Sequence, residues 1–262
     1  MNTLTRQGAM QMLNKVPEVT LYFWIIKIMA TTVGETAADF LNVDLHFGLT
    51  GTSVVMSAML AAFLFAQMRA RKYVPWLYWV VVVLISVVGT LITDNLVDNF
   101  GVPLETTTIA FGLALLATFA AWYASEKTLS IHTIFTTKRE IFYWAAILFT
   151  FALGTAAGDL AAEGLKLGYP YSTLMFGAMI AVTTFAYYVF KANAVLAFWI
   201  AYILTRPLGA SLGDSLSQPV ANGGLGLGAT ITSAIFLATI LSLVIYLSVT
   251  RKDVIELRAK GT

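Results

Sequence analysis

The sequence predicts an all-α membrane protein. Eight transmembrane helices are expected as four parallel two-helix repeats in a pseudo-four-fold ring, with both termini cytoplasmic. Three observations predict this. The 262 residues are 58% hydrophobic and only 11% charged, with a mean hydropathy of +0.79; soluble domains carry about 25% charged residues. Lysine and arginine crowd onto alternate connections between apolar stretches. One glycine-centred pattern recurs four times.

The composition also excludes whole classes. A chain this apolar is no soluble enzyme, disordered segment or nucleic-acid module, and a net charge of +2 makes no basic surface. Zero cysteines exclude disulfides, thiolate metal sites and Cys nucleophiles. Only two histidines occur, His46 and His132, too far apart in sequence for a typical His-based zinc or haem site.

A spanning helix needs about 20 mostly apolar residues. Eight stretches qualify, near 17–41, 46–68, 75–97, 103–125, 140–161, 168–190, 193–215 and 225–250. Pro17, Pro75, Pro103 and Pro170 fall at or near helix starts, where proline is tolerated. Pro207 is the one expected inside a helix. The first run is too long for a cleaved signal and is read as a permanent span.

Thirteen of the sixteen Lys and Arg lie on the side of the N-terminus, including Arg6, Arg258, Lys260 and the Arg251-Lys252 pair. Lys166 stands alone on the other side, and Lys27 and Arg206 fall inside spans. That asymmetry places both termini in the cytoplasm.

The repeat sets the architecture. Phe23-Trp24, Tyr78-Trp79, Tyr143-Trp144 and Phe198-Trp199 precede Gly34, Gly89, Gly154 and Gly209 by 11 and 10 residues. Asp39, Asp94, Asp159 and Asp214 follow those glycines by five. The offsets between repeats are 55, 65 and 55, and Leu45-His46-Phe47-Gly48 matches Leu165-Lys166-Leu167-Gly168 at 120. The chain is thus one transmembrane domain, with repeats near 16–70, 71–130, 136–190 and 191–250. Two spans per unit make the units parallel, about an axis along the membrane normal.

Four tandem two-helix units, each with a tryptophan early in its first helix (Trp24, Trp79, Trp144, Trp199), resemble a bacterial membrane-protein family. That family consists of tandem repeats of unknown function, also known as uncharacterised membrane-anchored proteins. The resemblance covers nearly the whole chain. It implies a bacterial inner-membrane location and carries no activity.

Each odd helix bears one polar stripe at four-residue steps. The stripes are Lys27, Thr31, Glu35, Asp39; Ser86, Thr90, Asp94, Asp98; Thr155, Asp159, Glu163; and Arg206, Ala210, Asp214, Gln218. Lipid contact would cost about 2.5–3.5 kcal/mol per charged residue, so the stripes should face inward. The aspartates read either as outer helix ends at the headgroups or as an inward ring. Helix C-termini disfavour anions, and a solvated carboxylate needs no constant register, which favours the ring. The tryptophans read as interface anchors and packing residues, and the glycines as close-contact points or helix breaks. Gly158 and Gly213 allow a break beside Asp159 and Asp214.

Five acids against two cations leave a net negative cavity. Protons, a bound cation or water must answer it. The expected function is therefore a transporter or channel for a small inorganic cation, divalent or proton-coupled, and not an enzyme. Its site would be Asp39, Asp94, Asp159, Asp214 and Glu35, with neutral oxygens from Thr31, Thr90 and Thr155. Lys27 and Arg206 would couple charge, or simply neutralise the acids. Oxygen ligands suit Mg, Mn or Ca at the aspartates, and no other cofactor is expected. The rival reading is a non-transporting scaffold or small-ligand receptor with a structural ion-pair network, its ring sealed and both cations paired. Asp98, Glu105 and Glu163 belong to the outer mouth, and His46, His132 and the Gly223–Gly228 loop to the surface. The expected partners are the bilayer and a cation or proton, without nucleic acid; a homo-oligomer through small-residue faces is left open.

Overall fold

The computed structural model describes residues 14–254, so Arg6, Arg258 and Lys260 of the charge pattern lie outside the described residues. Within them the chain is all helical. Four inner helices are α1 (Leu21–Asp39), α3 (Pro75–Asp94), α5 (Thr137–Asp159) and α7 (Ala194–Ser217). They alternate with four outer ones, α2 (Gly48–Arg69), α4 (Leu104–Glu126), α6 (Tyr169–Val189) and α8 (Ala229–Thr250). Seven of the eight are long and apolar enough to cross a membrane. The exception is α1, which carries Lys27, Glu35 and Asp39.

Local chemistry starts and stops these helices where the sequence changes character. Thr20 caps α1 by accepting from the Phe23 amide, and Thr136 caps α5 through the Arg139 amide, both at 3.3 Å. Asn193 accepts two amides at the start of α7, and Pro75 opens α3. Lys127 and Arg251 close α4 and α8 in the left-handed region, where their charge also suits the helix C-terminus. Pro207 is accommodated inside α7.

The inner helices contact one another in a closed order: α1 with α3, α3 with α5, α5 with α7, and α7 with α1. Each outer helix packs on the inner helix of the following repeat, and α8 returns to α1. More than half of each of the inner spans α3, α5 and α7 is buried, against about a tenth of α2, α4 and α6.

Glycine makes the inner contacts close. A Cβ on Gly34 would lie 2.7 Å from the Ser86 Cβ, and one on Gly89 2.6 Å from the Phe151 Cβ. Gly154 meets the Arg206 Cβ at 2.5 Å, and Gly209 meets the Thr31 Cβ at 2.6 Å. Every partner stands three residues before the next repeat's glycine, so one rule closes the circle. The close-contact reading of these glycines therefore holds.

The aromatic pairs follow the same circle. Phe23 meets Trp79 at 5.6 Å, Tyr78 meets Trp144 at 5.6 Å, Tyr143 meets Trp199 at 6.4 Å and Phe198 meets Trp24 at 5.7 Å. Trp79, Trp144 and Trp199 are buried and Trp24 is half-buried. They pack between helices, each ring against the aromatic of the preceding repeat, so the packing part of their expected role holds. Each such pair adds about 0.5–1.5 kcal/mol beyond its burial.

The 65-residue offset also finds its cause. Residues 127–136 form a longer connection, with a short 3₁₀ turn at Ile131–Thr133, than the other links between repeats. The Leu129 carbonyl accepts from the Trp199 indole at 2.9 Å, and the Ile134 carbonyl from the Lys15 amide at 2.9 Å. Lys15 pairs with Glu140 at 2.6 Å, and the Asp253 carbonyl accepts from the Glu18 amide at 3.0 Å. Three separate segments are thus laced across the tryptophan end of the ring.

Candidate functional site

Polar side chains descend the inside of the ring in tiers fixed by the glycine frame. Five residues after each glycine come the aspartates. Asp39, Asp94 and Asp159 each end a regular α-helix and are followed by a five-residue π-helical turn: Phe40–Asp44, Asn95–Asn99 and Leu160–Gly164. A left-handed residue (His46, Gly101 or Lys166) closes each turn. Such widenings are frequent at functional sites. Asp214 differs, sitting inside α7, which continues to Ser217. A helix change beside the aspartate thus occurs in the first three repeats. The break that Gly213 would allow beside Asp214 does not.

All four aspartates and Glu35 line one cavity of about 180 Å³. Asp98, Glu163, Gln218, Asn42 and Tyr169 complete its polar rim, with the Tyr169 hydroxyl donating to Glu163 at 2.9 Å. Asp98 and Glu163 are therefore part of the cavity wall. Glu105 is not among its lining residues, and His46 and Lys166 are exposed. Among the described residues, no three His, Cys, Asp or Glu side chains are grouped to hold a metal ion. The aspartates share a space without forming a preformed metal cage, because each approaches from a different wall.

One residue after the glycines lies the floor. The Arg206 guanidinium, fully buried, donates from Nη2 to Glu35 Oε2 at 2.9 Å and to Thr155 Oγ1 at 2.6 Å. The same nitrogen donates to Thr90 Oγ1, and Nη1 donates to the Thr31 carbonyl at 3.0 Å. One side chain from α7 thus ties α1, α3 and α5 together. The three threonines expected beside the acids as neutral oxygens lie in this tier. The Thr90 and Thr155 hydroxyls serve the guanidinium, the Thr31 hydroxyl donates to the Ile28 and Thr205 carbonyls, and none of the three lines the cavity.

Lys27 lies a turn further toward the tryptophans and does not face the acids. Its Nζ stands 4.0 Å from the Phe151 ring centroid and 4.3 Å from that of Tyr202, with no hydrogen-bond partner and no exposure. Phe151 and Tyr202 were not singled out in the sequence. They occupy the frame positions of Arg206 and Lys27 respectively, three and seven before the glycine, and reading those positions across all repeats would have found them. Tyr78 and Tyr143, hydroxyls 2.6 Å apart and both buried, are the next aromatic tier. Asn42 and Tyr169 had no sequence signal, since each enters from outside the repeating frame.

No curated protein and no solved structure matches the chain. A family pattern matches residues 22–73, 77–128, 142–193 and 197–253, each match spanning one inner helix and the outer helix after it. A chain with four tandem copies over most of its length belongs to the family described as Repeat of Unknown Function (DUF347).

Proposed function

We propose that this chain is a bacterial inner-membrane protein that takes a small inorganic cation into the acid-lined cavity and moves it across the bilayer. In this reading all eight helices span, the repeats are related by a pseudo-four-fold axis, and both ends face the cytoplasm. The polar face of α1 turns into the ring, so its charges do not forbid a span.

The observation that carries the reading is the cavity itself: five carboxyl side chains, at least one from each inner helix, around about 180 Å³. At about 30 Å³ per water, several waters fit beside an ion. A hard divalent ion such as Mg retains waters readily, so carboxylates spread around the wall suit it held through its hydration shell. Below, Arg206 and the aromatic tiers close the path. Passage then requires Arg206 and Glu35 to separate, which links cavity occupancy to opening.

That same closure favours a second reading, a sealed scaffold whose ion pair never parts. Reconstituted liposomes holding pH- and metal-sensitive dyes separate the two. Flux of a divalent or monovalent cation, lost when Asp39, Asp94, Asp159 and Asp214 are all changed to Asn, supports transport. No flux for any cation, with the quadruple variant merely melting at a different temperature, leaves the scaffold.

A further inference from the structure

Outside the ring, a second and larger space of about 640 Å³ runs along the seam between α7 and α1. Trp24, Ile28, Phe198 and Ala201 form its floor, and α6 forms one wall. Leu21 and Tyr188, both strongly exposed, line it, as befits a bilayer-facing groove. From Ala194 to Thr205 it follows α7 for eleven helical steps, or about 16 Å at 1.5 Å per residue. That is about half the hydrocarbon thickness. The groove ends at the tryptophan side, where Glu18 and His132 stand 3.2 Å apart with part of each side chain exposed.

We propose that this groove holds one phospholipid whose head group carries both a primary ammonium and a phosphate. The ammonium sits on Glu18, the phosphate on His132, and an acyl chain lies along the α1–α7 seam. The argument is charge complementarity joined to shape. A carboxylate and an imidazole side by side match the opposite charges of such a zwitterion. A head group with anionic charge alone would meet Glu18 unfavourably. A quaternary ammonium has no N–H to donate to it. The apolar floor and half-membrane length suit a chain and exclude a small polar solute. Thr205, next to Arg206, lines the deep end, so the chain would press on the seam behind the floor of the acid cavity. The proposal requires a membrane location and is independent of transport.

The test is native mass spectrometry of the full-length protein in detergent, offered phosphatidylethanolamine, phosphatidylglycerol and phosphatidylcholine of identical chains. One ethanolamine lipid per chain should be retained with about tenfold preference, the effect of one charge-assisted hydrogen bond. Glu18→Gln should bring the three lipids level, and Ala197→Phe, which fills the groove, should abolish retention of all three. Chainless phosphoethanolamine should displace nothing. Equal retention of the three lipids by the unaltered protein, a preference that survives Glu18→Gln, or displacement by phosphoethanolamine would each overturn the proposal. Should Ala197→Phe fail to fold, Glu18→Gln still decides, because that side chain lies before α1 and is partly exposed.

Discussion

Arg206 Nη2 and Glu35 Oε2 stand 2.9 Å apart and join the last inner helix to the first, closing the ring with a buried ion pair. Desolvating two ions offsets much of their attraction, so the pair adds little beyond an apolar pair of equal shape. Removing one member is different, because it strands the other. Glu35→Gln should cost about 3–5 kcal/mol and lower the melting temperature in detergent. The double variant Glu35→Gln, Arg206→Met should lose less than the sum of the two single changes. Equal and additive losses would show that the pair does not close the ring.

The glycine circle makes a second prediction, with an internal control. Gly209→Ala would place a methyl 2.6 Å from the Thr31 Cβ and 3.1 Å from the Thr32 backbone nitrogen. Helix α1 cannot yield there without moving Glu35, so a cost of about 1–3 kcal/mol or more is expected. Gly51, in α2, has nothing within 4 Å of such a methyl. Gly51→Ala should be neutral or stabilising by up to about 1 kcal/mol, through helix propensity alone. Thermal melts of the two variants in the same detergent check the contrast.

Much of this site was legible because it follows the repeat. The register of tryptophan, glycine and aspartate put the acids of four helices at one height, and the stripes showed Arg206 and Glu35 on the inward faces of different helices. What stayed hidden depends on side-chain direction within a tier. The threonines share the stripe with the acids, yet the Thr90 and Thr155 hydroxyls serve Arg206 and the Thr31 hydroxyl turns to backbone carbonyls. Lys27 shares it too and leans away onto Phe151. Four-residue spacing fixes a face and cannot say whether a long side chain points up or down it. The π-turns after Asp39, Asp94 and Asp159 left no sequence mark, since backbone hydrogen bonds alone define them.

Lys27 offers a third prediction. Its amine has two aromatic faces and no acceptor. A desolvated cation–π contact returns about 2 kcal/mol or more, against several kcal/mol for desolvating an ammonium that has no hydrogen-bond acceptor. Desolvation wins, so Lys27→Met, which keeps the length and removes the buried donor, should raise the melting temperature, with a gain of about 1–3 kcal/mol. Lys27→Ala should not, because it leaves a cavity. A destabilised Lys27→Met variant would mean that the amine has a favourable partner.

The last prediction concerns pH at the tryptophan end. The hydrogen bond from His132 to the Glu18 carboxylate raises the imidazole above its usual value, partly opposed by burial. Folding therefore favours the protonated histidine. This contribution is fully present below the unfolded-chain value of about 6.5 and is lost as pH rises through the higher folded value. Both side chains are partly exposed, so solvent screening holds it under about 1 kcal/mol. Melting temperature measured from about pH 5.5 to about pH 8.5 should fall more steeply for the unaltered protein than for His132→Gln, with the difference shrinking in high salt. Parallel curves would show that the pair does not form in solution. That result would also remove the phosphate-facing imidazolium from the lipid groove, because the same carboxylate holds its proton.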